Sequence, residues 1–132
     1  MNFVLLADFS FGSLAIAVVL GLGLGWIMVR NQNTDYSKIT VLKRDDFVQN
    51  MRKGQLVDIR KKAQFEEDKI KGARNFKMNT LTSKTTKLRR DQAIYVYCQN
   101  GRKSKSAARK LVRKNYNTVY VLEGGLDAYN NN

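Results

Sequence analysis

The chain has 132 residues, of which 24 are lysine or arginine and 11 are aspartate or glutamate, so its net charge is +13. This length allows no more than one globular domain of ordinary size. With one cysteine and no histidine, an internal disulfide is excluded, and no structural zinc site or other metal site is expected.

The first thirty residues predict a membrane anchor. From Phe9 to Val29 there are 21 residues without a charge, and a helix of that length covers the ~30 Å hydrocarbon core of a bilayer. The alternative is a cleaved signal peptide, which begins with a basic stretch and has a shorter apolar core. Because the first basic residue here is Arg30, we predict a single-pass transmembrane anchor over residues 1–30.

The charges on either side of this span predict its orientation. Asp8 is the only charge before it, whereas Arg30, Lys38, Lys43 and Arg44 follow it. Basic residues collect on the cytoplasmic side of membrane helices. The sequence therefore predicts a protein of the cell membrane whose carboxyl-terminal part faces the cytoplasm.

The part beyond Tyr36 is strongly basic. Of the charged residues, only Asp8, Arg30 and Asp35 precede this part. It therefore holds 23 basic and 9 acidic side chains and has a net charge of +14. Such a charge favours an anionic membrane surface, an anionic substrate or nucleic acid as partner. The cations are dispersed and form no nucleic-acid-binding motif, so we expect the charge to serve general solvation and membrane attraction, with no specific nucleic-acid binding.

Residues 31–37 predict a polar linker, and residues 38–132 predict a domain in which strands alternate with helices. Short apolar strands separated by amphipathic helices indicate an α/β fold, a small parallel sheet flanked by helices on both faces. The predicted strands are Ile39–Leu42, Leu56–Ile59, a short extended piece within Ala73–Met78, Ala93–Tyr97 and Val119–Leu122. The predicted helices are Arg44–Arg52, Ala63–Glu67, Ser104–Lys114 and a short one ending at Tyr129, while Leu81–Leu88 is ambiguous.

Cys98 lies where such a sheet binds ligands, beyond the carboxyl end of a strand. It follows the strand Ala93–Tyr97, and a loop with Arg102 and Lys103 leads from it to the helical pattern that starts at Ser104. Unpaired N–H groups at a helix start and nearby cations attract anions, and the thiolate is the nucleophilic form of cysteine. A cysteine that only fills a core does not require cations and a helix start beside it. The sequence therefore predicts a reactive, anion-binding cysteine.

Five segments of the chain resemble motifs of the rhodanese family, in the family's order, over roughly residues 39–129. They are Leu56–Arg60, similar to a "VDVR" strand end; Phe65-Glu66, similar to the acidic-aromatic pair; Ile70–Asn75, similar to "GHIPGAxN"; Val96–Ser104, similar to the active-site loop; and Val121–Tyr129, similar to "GGxxAW". One such motif is weak evidence, but five in order are specific. The chain departs from the family pattern at Lys69, Lys71, Lys103 and Tyr129.

The resemblance implies a single-domain thiosulfate sulfurtransferase that works through a persulfide on Cys98 and needs no cofactor. Sulfane sulfur would pass from a small anionic donor, thiosulfate-like or a persulfide, to a thiol or cyanide-like acceptor, protein thiols included. Ser104 would cap the helix and donate to the persulfide, and Arg60 would pair with Glu66. The implied site comprises the loop residues Gln99, Asn100, Gly101, Arg102, Lys103 and Ser104, and the supporting residues Asp58, Arg60, Gly124 and Gly125.

Two alternative functions are compatible with a rhodanese-like fold. Rhodanese relatives with phosphatase activity have a longer loop, in which an arginine follows the cysteine after five intervening residues; here that position is Ser104, so sulfur transfer is preferred over phosphoryl transfer. A catalytically silent, membrane-tethered interaction module would keep the fold and would not need Cys98. This second alternative stays open, as does the oligomeric state.

Overall fold

The computed structural model describes residues 11–32 and 34–131, and the chain divides between Thr34 and Asp35 into two compact units. The described part of the first unit is helix α1 (Phe11–Gln32) and Thr34. Its segment Phe11–Arg30 is long and apolar enough to cross a membrane, a property that membrane anchors and signal sequences share. Residues 9 and 10 of the predicted span lie outside the described residues, and α1 includes the first two residues of the predicted linker.

The second unit contains a five-stranded parallel sheet, and the predicted α/β fold is confirmed. The central strand is buried along its whole length, because a parallel strand covered on both faces carries apolar side chains on both sides. The strands follow each other across the sheet in the order β1 (Ile39–Leu42), β5 (Val119–Leu122), β4 (Ile94–Tyr97), β2 (Gln55–Asp58) and β3 (Arg74–Asn75).

Helices cover both faces of this sheet. They are α2 (Arg44–Asn50), α3 (Lys62–Glu67), α4 (Arg102–Arg113) and α5 (Gly125–Asn130), with 3-10 turns at Tyr36–Lys38, Met51–Lys53 and Lys84–Thr86. The ambiguous segment Leu81–Leu88 thus contains a 3-10 turn. Helix α4 begins at Arg102, two residues before the predicted start at Ser104. The reason is Gly101, whose φ of +90° turns the chain directly into the helix in a conformation that glycine adopts without strain.

Two apolar clusters hold the unit together, one on each face of the sheet. On one face, Ala107 and Leu111 of α4 belong to the cluster of Val96, and on the other face Phe47 of α2 belongs to that of Tyr95. Both clusters consist of residues from the second unit alone. The second unit therefore has a complete core of its own and is expected to fold without α1.

The register of the sheet brings the carboxyl ends of its middle strands together. Asp58 at the end of β2 is paired with Tyr97 at the end of β4, and β4 is in turn paired with β5. The residues that follow these three strands therefore emerge side by side at one edge. This edge holds the predicted site.

We predict that Leu111→Ala lowers the free energy of unfolding of the second unit by about 2–5 kcal/mol, because it leaves a cavity where a fully buried side chain packed. Urea unfolding of a chain beginning at Asp35, followed by circular dichroism, measures the loss. Ser106→Ala on the exposed side of the same helix is the control and should leave the midpoint nearly unchanged. Equal midpoints for the two variants would contradict the assignment of this core face.

Candidate active site

The sulfur of Cys98 lies at the amino end of α4 and accepts backbone hydrogen bonds. The N–H of Gly101 donates to Sγ over 3.1 Å and the N–H of Ser104 over 3.4 Å. The thiol in turn donates to Oγ of Ser104 at 3.4 Å, and that hydroxyl donates to the carbonyl of Gly101 at 3.0 Å. Two N–H donors and the positive end of a helix dipole favour negative charge on this sulfur.

Cys98 is buried and yet lines a pocket. Its exposed fraction is 2%, and on one side it belongs to the apolar cluster beneath α4. On the other side it borders a pocket of about 390 Å³. Besides Cys98, the pocket is lined by Arg60, Gln64, Gln99, Asn100, Arg102 and Lys103. The loop that supplies the N–H donors thus covers the sulfur, and Cys98 borders the pocket.

The loop conformation depends on Gly101. A Cβ at this position would lie 3.0 Å from the backbone nitrogen of Gly124, and its φ is in the left-handed region. The next amide, that of Arg102, is bound by the side chain of Asn100 at 3.0 Å, so it is not directed at the sulfur. Ser104 is the third residue of α4. The expectation that Ser104 caps the helix is therefore wrong, because the glycine turn starts α4 two residues earlier.

The start of α5 supports the beginning of the loop. The N–H groups of Leu126 and Asp127 donate to the carbonyls of Cys98 and Gln99, at 2.9 and 3.0 Å. Gly125 has a φ of +61°, and any Cβ there would overlap the Cys98 carbonyl oxygen. Only glycine lets α5 approach this closely, which is the physical reason for the second glycine of the "GGxxAW"-like motif.

Arg60 is held by Asp58 and not by the expected partner Glu66. Nε and Nη2 of Arg60 donate to Oδ2 of Asp58 at 3.0 and 2.8 Å, and both side chains are buried. Oε1 of Glu66 instead lies 3.8 Å from Nζ of Lys62, which is one helical turn earlier in the chain. Side chains two residues apart along an extended chain lie on the same side, which puts Asp58 closer. Burial opposes the charge on Arg60, but the hydrogen bond and the charge of Asp58 outweigh it and raise the pKa of Arg60.

The same arginine is connected to α5 through the loop. Nη1 of Arg60 donates to Oε1 of Gln99 at 3.0 Å, and Nε2 of Gln99 donates to Asp127. Asp58, Arg60, Gln99 and Asp127 thus form a continuous chain of polar contacts across the ends of β2, β4 and β5. No sequence signal singles out Asp127, although it lies inside the last motif. The same holds for Gln64, which lines the pocket and lies in no motif.

All the predicted site residues lie at this edge of the sheet. Arg102 and Lys103 are exposed and line the pocket, whereas Asp58 is buried beneath Arg60 and does not line it. Within residues 11–32 and 34–131, no three histidine, cysteine, aspartate or glutamate side chains gather to form a metal site.

We predict that Asp58→Asn lowers the free energy of unfolding by about 3–5 kcal/mol, because the charge of Arg60 would stay buried without its partner. Urea unfolding of the chain beginning at Asp35 measures the effect. Asp91→Asn is the matched control, since it breaks an exposed pair with Arg89 and should barely move the midpoint. If both variants lose equal stability, the Asp58–Arg60 pair does not support the site.

Comparison with known proteins shows the family of this chain. The family model of the rhodanese-like domain matches residues 43–132. The uncharacterized protein YqhL of Bacillus subtilis is 37% identical over 84 residues, which cover 64% of this chain and 67% of that protein. The thiosulfate sulfurtransferase GlpE of Coxiella burnetii is 31% identical over 74 residues, covering 56% of this chain and 69% of GlpE. The adenylyltransferase and sulfurtransferase UBA4 of Candida albicans is 30% identical over 103 residues, 72% of this chain but only 24% of UBA4.

Solved structures show the same fold. A rhodanese-related protein from Thermoplasma volcanium superposes with a TM-score of 0.61 at 24% identity, covering 68% of this chain and 89% of that one. The reduced CoADR-RHD protein of Bacillus anthracis superposes with a TM-score of 0.63 at 26% identity, covering 70% of this chain and 17% of that one. The fold, the family model and the sulfurtransferase relatives agree: this chain belongs to the rhodanese-like domain family.

Proposed function

We propose that this chain is a membrane-anchored sulfurtransferase that carries sulfane sulfur as a persulfide on Cys98. The observation that carries the proposal is the sulfur that receives two N–H groups at the start of α4 beside an open pocket. Relatives named sulfurtransferases, GlpE among them, add support.

The first half of the reaction loads the cysteine. The Cys98 thiolate attacks the outer sulfur of a thiosulfate-like donor, a new S–S bond forms, and the S–S bond of the donor breaks. Sulfite then leaves with the bonding electron pair. As the new bond forms, the negative charge of the thiolate moves from Sγ to the outer sulfur of the persulfide, one bond away, where the amino end of α4 and its amides at Gly101 and Ser104 still favour an anion.

The hydroxyl of Ser104 provides a third donor once the thiol has lost its proton. In the thiol form, Sγ donates to this hydroxyl, which donates to the carbonyl of Gly101. When the sulfur becomes an anion, its proton is gone and the hydroxyl rotates to donate to it. Ser104 therefore acts on the sulfur from within the helix and not as a helix cap.

The pocket mouth selects for anions. Arg102 and Lys103 are exposed at the pocket and attract a small anionic sulfur donor, while Arg60 is held by Asp58 and fixes the loop through Gln99.

In the second half of the reaction a thiol or a cyanide-like acceptor attacks the outer sulfur of the persulfide. The S–S bond breaks, and Cys98 returns to the thiolate.

We propose that α1 lies in the cell membrane and that the second unit faces the cytoplasm. The apolar side chains of α1 are exposed, as a bilayer requires. Near its carboxyl end the guanidinium of Arg30 lies 5.4 Å from the ring centre of Trp26, and tryptophan and arginine are typical of the membrane interface. A reducing cytoplasm also suits a free, reactive cysteine.

We predict that Cys98→Ser abolishes the release of sulfite from thiosulfate in the presence of cyanide. Without cyanide, the wild-type chain should gain the mass of one sulfur atom at Cys98. Ser104→Ala should lower the rate of sulfite release by roughly 10- to 100-fold, because the hydrogen bond from the serine hydroxyl to the charged sulfur is lost. Equal sulfite release by wild type and Cys98→Ser would contradict the enzyme and favour the silent interaction module.

We predict that the full-length chain stays with membranes after alkaline carbonate washing, because α1 is inserted and not adsorbed. In spheroplasts of an expression host, protease added outside should leave the second unit intact, since it faces the cytoplasm. A chain beginning at Asp35 should be found in the soluble fraction. Recovery of a shortened, exported chain would instead identify α1 as a cleaved signal sequence.

A further inference from the structure

All the charged side chains of helix α4 are basic. Residues 92–122 contain seven lysines and arginines and no acidic residue. Four of these basic side chains, all exposed, recur at intervals of three or four residues and so lie along one side of the helix, opposite its buried residues. These four side chains form the basic stripe: Arg102, Lys105, Arg109 and Arg113.

The acidic side chains of the second unit lie elsewhere. Within the described part of the chain, no stripe residue forms an ion pair. The ten carboxylates of this unit are Asp35 before the 3-10 turn Tyr36–Lys38, Asp45 and Asp46 in α2, the buried Asp58, Glu66, Glu67 and Asp68 at the end of α3, Asp91 paired with Arg89, and Glu123 and Asp127 beside or in α5. The positive charge of the stripe is therefore not neutralised by neighbours.

A second basic segment packs beside α4. Residues 77–90 contain five basic residues and no acidic one. Arg89 is paired with Asp91, which follows the segment, and the other four form no ion pair in the described part of the chain. Nζ of Lys110 in α4 donates to the carbonyl of Met78 at 2.6 Å, and Nε of Arg90 donates to that of Lys114 at 2.9 Å. The segment thus covers the same face of the sheet as α4 and extends its positive field.

The exposed apolar residues show which kind of partner suits this surface. Among the described residues of the second unit, only Tyr36 and Val41 are exposed large apolar side chains, and neither belongs to α4 or to residues 77–90. Protein interfaces depend on buried aromatic or aliphatic anchors, and single-stranded nucleic acid stacks on exposed aromatic rings. A surface of anionic lipid headgroups needs only dense positive charge.

We propose that the basic stripe binds the anionic headgroups of the membrane that α1 spans. The inference rests on the membrane location proposed above, and it does not depend on sulfur transfer. In sequence, only Asn33 and Thr34 separate α1 from the second unit, so a bilayer that holds α1 keeps the second unit close to the lipid surface. There the field of the stripe acts within a Debye length of about 8 Å.

The test uses a chain beginning at Asp35, which contains both apolar clusters and lacks α1. It is sedimented with vesicles of phosphatidylcholine alone and with vesicles in which one third of the lipid is phosphatidylserine. We expect binding to the anionic vesicles at low salt, release at high salt, and negligible binding to phosphatidylcholine. Equal binding to both vesicles, or binding that salt does not weaken, would overturn the proposal.

Two charge-matched triple variants locate the contact. Lys105→Glu, Arg109→Glu and Arg113→Glu change the stripe but spare Arg102, which lines the pocket. Lys43→Glu, Lys53→Glu and Lys61→Glu make the same change of net charge beside α2 and α3, at exposed positions. Since each basic residue near a lipid surface strengthens binding roughly fivefold, the stripe variant should bind at least ~100-fold more weakly, and the control only a few-fold.

An equal loss in the two variants would overturn the proposal, because net charge alone would then explain the binding. Tighter binding of the wild-type unit to duplex DNA than to the anionic vesicles at the same salt would also overturn it, in favour of nucleic acid. Circular dichroism and thermal melting of both variants establish that they are folded. Because the assay contains neither α1 nor a sulfur donor, its failure is distinct from a failure of the anchor or of the activity, which the carbonate and sulfite measurements report.

Discussion

The candidate site depends on the close approach of the Cys98 sulfur to the amides of Gly101 and Ser104. The chain must turn back on itself within three residues of the strand end for an amide to reach that sulfur. The left-handed conformation of Gly101 provides this turn and at the same time starts α4. One backbone conformation therefore places the sulfur at the end of a helix dipole, covers it with N–H groups, and leaves it beside the pocket.

The rest of the sheet edge holds this loop in place. The amides at the start of α5 bind the carbonyls of Cys98 and Gln99, and the side chain of Gln99 lies between Arg60 and Asp127. The buried Asp58–Arg60 pair is costly to build unless it is fully hydrogen-bonded, and here it is. Its contribution is best understood as fixing the position of Arg60, and through it the loop, instead of presenting a free cation to a substrate.

The two faces of the sheet differ in charge as well as in packing. One face is covered by α4 and residues 77–90, in which basic residues occur without acidic ones, whereas most of the carboxylates lie in or beside α2, α3 and α5. The pocket lies at the amino end of α4, where Arg102 belongs to both the pocket lining and the basic stripe. The field proposed to attract an anionic sulfur donor is thus continuous with the field proposed to attract a lipid surface.

The sequence by itself determined the parallel α/β fold, the position of Cys98 after the central strand, and the family, because apolar runs and motif spacing are local properties of the chain. The strands Ile39–Leu42 and Val119–Leu122 coincide with their predicted bounds. Only the tertiary structure decided that Arg60 pairs with Asp58 and not with Glu66, that Gln99 connects Arg60 to Asp127, and that the loop buries the sulfur. These contacts depend on how the ends of three strands and the start of α5 converge in space. The spacing of residues along the chain does not determine the distances between side chains that come from different elements.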